Sequence, residues 1–287
     1  MNRIATFKPI LKPKIWAENW INNLYNLNLP DNIGEIINLS NQTKLTNTSI
    51  SADIIVENLP VMSKFIQTGQ SLSIQTHRYK NEGWLVIGAR KDAHVLIGKK
   101  DDISSQQWFD NIRIDPYSVM KKIDLTVGDY ISCPAKTPHC LSGGLVVLEV
   151  QDNIDETIRI WDWGRDRELH DITNCIKFDN KINIIKESDA NGLTYLYKSN
   201  NYTWSNLVFW NNIARHNNNH CFYTCLQGDV EILYWNTDNS YQIKLKAPHS
   251  AFIPSGYPGR NLKSKGECWL SEVIIPSRYA YNEYTSA

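Results

Sequence analysis

The chain has 287 residues, 42% of them hydrophobic, and its 30 acidic side chains balance 30 basic ones. That length holds one large domain or two ordinary ones, with enough apolar residue to bury a core. The neutral balance removes the electrostatic case for nucleic acid or an anionic membrane as main partner, though a local basic pocket for one phosphate remains compatible with it. Apolar runs such as Leu145 to Leu148 are far too short to cross a bilayer. Lys8, Pro9, Lys12 and Pro13 break the N-terminus where a secretory signal needs a continuous apolar core, so a cytoplasmic protein is expected. The six cysteines form no CxxC pair and read as buried or free thiols.

Taken in chain order, residues 14–27 come first, with a helix-like stripe of Ile15, Trp16, Trp20, Ile21, Leu24 and Tyr25 that also fits an irregular segment. Short β-branched and aromatic runs follow at Trp84 to Gly88 and Ala93 to Ile97. Ser104 and Ser105 can cap a helix over 105–112, and Asp115-Pro116 can open another, giving a helical excursion near 102–122. Strand-like runs resume at Asp129 to Cys133 and Gly144 to Val150. A polar stretch over 175–190 marks a boundary, and further runs lie at Asp229 to Tyr234 and Cys268 to Ile275. Short strands punctuated by Gly, Pro and Asn predict an all-β protein.

The sharpest local pattern is GDYISCPAKTPH over 128–139. Gly-Asp turns into a strand, Pro134 ends it, and the following turn aims His139 back inside. Upstream, Gln75 and His77 lie two apart on a strand-like run and share one face, and Glu82 returns after a short turn. These two stretches resemble the paired motifs of the cupin fold, with Gln75 in place of the first His and Lys136 where Gly is usual. Two imidazoles, a carboxylate and an amide oxygen form a set that suits zinc. A second copy of the turn, Pro254-Ser255-Gly256-Tyr257-Pro258-Gly259, has Gly259 where a ligand His would stand. His216 and His220, separated by three Asn residues, read as a loop.

Several longer stretches carry a more specific resemblance. NLPVMSKFIQTGQSLSIQTHR (58–78), Lys80-Asn81-Glu82-Gly83-Trp84 and LEVQDNIDETIRIWDWGR (148–165) are similar to segments of the type I mannose-6-phosphate isomerases, in their short bacterial form; FKPILKPKIW (7–16) and IGEIINLS (33–40) match weaker signatures. The resemblance implies two cupin-type β-barrels (jelly rolls) with a few short helices: a metal-binding catalytic barrel over 1–180 and a metal-free one over 181–287. It implies one Zn2+ per chain, held by Gln75, His77, Glu82 and His139. Lys80, Asp155 and Arg159 match positions lining the family's substrate pocket, where they would bind substrate or act in catalysis. Arg165 and Arg167 are candidates to meet a phosphate, because guanidinium binds phosphate oxygens through a bidentate fork. His170 reads as structural.

The activity implied is interconversion of mannose 6-phosphate and fructose 6-phosphate through an enediol, on a phosphorylated hexose. Asp155, Glu82 or a metal-bound water are the candidate bases. Relative to the family, the loop between His77 and Glu82 has shrunk to four residues and lacks the Pro that commonly follows the ligand His. That shortening favours a rival reading, a non-catalytic sugar or sugar-phosphate binding cupin. A cupin oxygenase is a third reading, and Gln75 speaks against it.

Overall fold

The computed structural model describes residues 5–7, 9–40, 44–47, 52–55, 59–187, 192–279 and 282–283. Lys8, Asn58 and 188–190, which the sequence reading touched, lie outside them. The protein is mainly β and of the cupin type. It divides into two compact units, Leu11–Ile36 with Lys64–Glu187, and Met1–Ile10 with Ile37–Ser63 and Ser188–Ala287. The boundary expected near 180 falls at 187/188. Two N-terminal stretches read with the first barrel, up to Ile10 and from Ile37 to Ser63, group with the C-terminal part instead. Among the described residues no helix is long and apolar enough to cross a membrane.

The unit carrying residues 64–187 is built on two sheets. One orders Ile184–Ile185, Tyr130–Cys133, Glu82–Ala89, Leu145–Asp152, Val61–Thr68, Ile33–Leu39 and Ile10–Pro13. The other orders Lys121–Asp124, His94–Ile97, His139–Leu141, Ile74–Thr76 and Ile158–Trp161. The strand period of two decides what faces inward. Ile66, Trp84, Val86, Leu145 and Val147 from the first sheet share one core with Val95, Ile97 and Leu141 from the second. The alternate residues Ile74, Leu96, Cys140 and Ile160 face the other way and pack with Trp108, Ile112, Val119 and Met120 from the helical excursion.

Those helices form as expected. Ser104 caps Ser105–Asn111 with a reciprocal capping box to Gln107, and Asp115 caps Pro116–Val119. The stripe over 14–27 yields only the short helix Trp20–Tyr25, ended by Asn26 in the left-handed conformation. Its first half is not helical because the Trp16 carbonyl accepts from Gly69 and Gln70, and the Lys14 N–H donates to Asn32. A neighbouring loop takes the backbone groups a helix would need.

The inward positions change character along each strand, and this creates the site. Val86 and Trp84 are followed inward by Glu82; Leu145 and Val147 by Glu149; Ile66 is preceded by Lys64, and Leu141 by His139. One end of the interior is therefore apolar and the other polar and charged. In the other unit, Leu207, Phe209, Cys221, Tyr223 and Cys225 pack with Val230, Ile232, Tyr234, Leu245 and Leu262 from its four-stranded sheet. All six cysteines are free and buried.

Candidate metal centre

His139, Gln75 and Arg159 meet through strand register. His139 pairs with Gln75 across one strand junction, and Arg159 pairs with Gln75 across the next. Glu82 stands opposite Cys133, where the sheet turns at Pro134 toward His139. His77, Glu82 and His139 thus converge, with all three side chains buried and one ligand atom from each within 4.8 Å of the others.

Hydrogen bonds set how the two imidazoles present themselves. His77 donates from Nδ1 to the Glu156 carbonyl at 2.6 Å, and His139 donates from Nδ1 to the Thr137 carbonyl at 2.9 Å. Both Nε2 lone pairs then point at Glu82 Oε1, at 3.3 Å from His77 and 2.9 Å from His139. His77 Nε2 and Glu82 Oε1 are buried and lack a hydrogen-bond donor. Three buried lone-pair atoms facing one another repel unless a cation lies among them, and backbone carbonyls that fix the tautomer are the usual outer support of a metal-binding His. The donor set fits a divalent metal of the zinc type.

Gln75 completes the ring from its own strand. Its amide nitrogen lies 3.3 Å from His139 Nε2 and its oxygen accepts from Ser73. A half-turn of the amide brings the oxygen to face the cluster.

Charge in the cluster follows from its neighbours. Burial alone would push the Glu82 carboxyl up, but the Lys80 ammonium beside it outweighs that and holds Glu82 well below the usual carboxylate range. Burial lowers His77. Lys80 is itself buried, donating to Glu82 at 2.8 Å and to Gln151 at 3.1 Å.

The cluster opens into a cavity of about 340 Å3 whose lining includes Gln75, Lys80, Glu82, Arg159, Arg167 and Asp162. Lys14, Glu35, Lys64 and Glu149 also line it, and the sequence reading had not singled them out. Lys64 bridges Glu149 at 3.0 Å and Glu35 at 3.4 Å, and Lys14 meets Glu35 at 3.0 Å. The available signal was parity: Lys64 and Glu149 occupy inward positions of otherwise apolar strands.

Two sequence candidates stand elsewhere. Asp155 is exposed in the loop before Ile158–Trp161 and is not part of the cavity lining, which corrects its placement in the pocket. Arg165 is turned aside, because its guanidinium donates to the Asp162 carboxylate at 2.5 Å and to the Asp162 carbonyl at 3.1 Å. Arg167, two residues on, lines the cavity instead. His170 is structural as expected, since its Nδ1 accepts from the Arg159 N–H at 2.9 Å. The short loop after His77 is pinned at both ends, by Arg78 N–H to Glu156 and by Asn81 to Asp152.

The other unit repeats the Pro-containing turn. Lys136 and Gly256 occupy the same place in the two turns, both left-handed, with φ of 66° and 94°. Register carries the correspondence further: His216 pairs with Gly259 as Gln75 pairs with His139, and Cys221 pairs with Ile253 as Glu82 pairs with Cys133. A Cβ on Gly259 would come 2.2 Å from the Trp235 ring, so the indole fills the space a ligand side chain would need. His216 and His220 flank a loop between two strands, and His220 is spent on the Tyr279 carbonyl and the Ser255 N–H.

No family model matches the chain. Mannose-6-phosphate isomerase ManA of Bacillus subtilis is 27% identical over 133 residues, 40% of this chain and 42% of the relative. Mannose-6-phosphate isomerase of Streptococcus mutans is 28% identical over 130 residues, 39% of this chain and 41% of the relative. The matched stretch spans about two-fifths of the length of these curated relatives. The crystal structure of mannose 6-phosphate isomerase from Bacillus subtilis superposes with a TM-score of 0.79 at 19% identity, covering 95% of this chain and 99% of that one. The chain is similar to the mannose-6-phosphate isomerases, in sequence over about two-fifths of its length and in fold over 95% of it. A phosphomannose isomerase variant from Salmonella typhimurium shares the fold of this chain, with a TM-score of 0.72 at 12% identity over 95% of this chain and 99% of the other.

Proposed function

We propose that this protein is a zinc-dependent aldose–ketose isomerase that interconverts mannose 6-phosphate and fructose 6-phosphate through an enediol. The observation that carries the reading is the convergence of His77, Glu82 and His139 on one point of a cavity lined by Lys80 and Arg159. The sequence relatives are mannose-6-phosphate isomerases, and they suggest the substrate. Gln75, His77, Glu82 and His139 would hold one zinc ion, which when bound supplies Lewis-acid polarisation of sugar oxygens.

The remaining work falls to the chain. Moving a proton between C1 and C2 leaves negative charge on an enediolate oxygen. Lys80 and Arg159 carry that charge, in surroundings that the apolar end of the same interior keeps partly dry. Glu82 is the carboxylate of the sequence candidates that lies within the site, and it accepts a hydrogen bond from Lys80. The catalytic metal site belongs to the unit carrying residues 64–187. The unit carrying 188–287 serves as a metal-free barrel, its turn closed by Trp235 against Gly259.

The pinned four-residue loop after His77 favours the second reading, a sugar-phosphate binding protein without turnover. A coupled assay separates the two: fructose 6-phosphate formed from mannose 6-phosphate, abolished by chelator and restored by zinc, supports the isomerase. Zinc-loaded protein that binds mannose 6-phosphate without converting it removes that reading.

A further inference from the structure

The four-stranded sheet of the unit carrying residues 188–287 turns one face to its core and the other to solvent. Its strands run in the order Asn212–His216, Gly259–Lys263, Asp229–Trp235 and Ser240–Lys246. Residues directly opposite in an antiparallel pair point to the same side, so register sets the rows of the outer face. His216, Gly259, Trp235 and Ser240 form one row. Ala214, Asn261, Leu233 and Gln242 form the next, and Asn212, Lys263, Glu231 and Lys244 the third. The alternate residues Ile232, Tyr234, Ile243 and Leu262 point into the core.

Trp235 lies face-down on Gly259. A Cβ on that glycine would come 2.2 Å from the indole Cε2, 2.5 Å from Nε1 and 2.6 Å from Cζ2. The middle atom of the three is the nearest, as it is beneath a ring face; an approach in the ring plane would bring the outer two closer. Trp235 is still 39% exposed, which leaves its other face open to solvent. Its indole N–H has no hydrogen-bond partner among the described residues, and neither do the side chains of Ser240, Gln242 and Asn261 beside it.

Further along the same face the charge changes. Glu231 lies four residues from Trp235, about 13 Å at roughly 3.3 Å per strand residue. There a groove of about 400 Å3 is lined by Lys244, Lys246, Lys263 and Lys265, with Asp229 and Glu231. Four ammoniums meet two carboxylates, and among the described residues the ion pair within the groove is Lys244 with Glu231, at 4.0 Å. The groove is net positive on a chain whose acidic and basic residues balance, so an anionic group complements it.

We propose that this outer face binds an acidic oligosaccharide, with one sugar ring stacked on Trp235, hydroxyls hydrogen-bonded to Gln242 and Asn261, and an anionic group of the same chain in the lysine groove. A pyranose ring presents weakly positive C–H groups, which settle on the negative face of an indole. Amide side chains offer donors and acceptors together, as hydroxyls require. Nucleic acid fits this face less well. It carries a phosphate at every residue, whereas the lysines gather at one end and the two rows around Trp235 hold no Lys or Arg. A further strand from a second copy fits less well too, because Lys244 and Lys246 guard the edge strand. The site is separate from the metal cluster and does not depend on the isomerase reading.

The test is calorimetry on the full chain at fixed ionic strength. The probes are a hyaluronan hexasaccharide, in which neutral and carboxylate-bearing rings alternate, and neutral mannohexaose. The parent should bind the hyaluronan probe more tightly than the neutral one. Trp235→Ala should raise its Kd about tenfold, the loss of one stacked ring, and Trp235→Tyr should recover most of that. The double variant Lys246→Ala, Lys263→Ala should also raise it about tenfold and flatten its salt dependence, with mannohexaose affinity unchanged. Lys177→Ala, a surface control, should match the parent. Should Trp235→Ala fail to fold, the double variant Gln242→Ala, Asn261→Ala reads the sugar end instead: a weaker Kd sustains the proposal and an equal one refutes it. A parent that binds no hyaluronan overturns the proposal, as does a folded Trp235→Ala with unchanged affinity. Tighter binding of a ten-nucleotide oligothymidylate makes the face a nucleic-acid site and overturns it. So does a dimer in light scattering that Trp235→Ala abolishes, which makes the face a contact between copies.

Discussion

Neutralising Glu82 tests the charge arrangement of the site without reference to activity. Glu82→Gln keeps the side-chain shape and removes one negative charge. In the parent, Lys80 lies 2.8 Å from that carboxylate, with the two side chains only 6% and 1% exposed. After the substitution the Lys80 ammonium keeps only the neutral Gln151 oxygen, at 3.1 Å. Breaking a buried ion pair by removing one partner costs about 3–5 kcal/mol, because the other charge stays out of water unpaired. With a urea slope of about 1–3 kcal/mol/M, the unfolding midpoint should fall by roughly 1–3 M. The measurement is equilibrium urea unfolding in chelator, so that metal does not enter. The double variant Lys80→Met, Glu82→Gln should recover at least half of the loss, since it removes the stranded charge. Glu82→Gln lying within about 1 kcal/mol of the parent would refute the reasoning. A double variant no more stable than Glu82→Gln alone would refute it as well.

Three further outcomes are expected. Arg159→Ala should lower kcat about a hundredfold, near 3 kcal/mol of transition-state stabilisation, with zinc content unchanged; a rise in KM alone would confine Arg159 to holding the phosphate. Lys136→Gly should stabilise the protein by roughly 0.5–1 kcal/mol in thermal or urea unfolding, because a left-handed lysine costs about 1–2 kcal/mol and glycine gives back about half of that as unfolded-chain entropy; a destabilised variant would show that Lys136 makes contacts worth more than the strain. Glu35 governs acid stability: burial pushes its carboxyl up from 4.5, but Lys64 and Lys14 together hold it down to about 2. A folded value below the unfolded one contributes stability above pH 4.5 and loses it as pH falls toward 2, about 3 kcal/mol in all. Unfolding free energies of parent and Glu35→Gln should therefore converge by about that amount between pH 6 and pH 2, and parallel curves would exclude this role.

Local chemistry was enough to read much of this protein from its residues. The helix starts at Ser104 and Asp115, the strands on either side, and the Pro-containing turn repeated at 134–139 and 254–259 all rest on spacing within a few residues, whereas joining Gln75, His77 and Glu82 with the distant His139 rests on the resemblance of the two stretches to paired motifs of one fold. A strand alternates its side chains whatever its partners are, so parity alone puts Gln75 with His77 and Glu82 with Trp84 on common faces. What depends on partners far along the chain was settled only by the tertiary structure. Arg165 and Arg167 are equivalent in sequence; the Asp162 carboxylate turns one aside and leaves the other on the cavity. Asp155 and Arg159 share one short segment, yet only Arg159 reaches a strand paired with Gln75. Lys64, Glu35 and Glu149 come from three separate strands and become one network only when pairing brings them together. The segment 37–63 lies between stretches of one unit and groups with the other, because cross-strand pairing is a long-range choice that nearby residues do not encode.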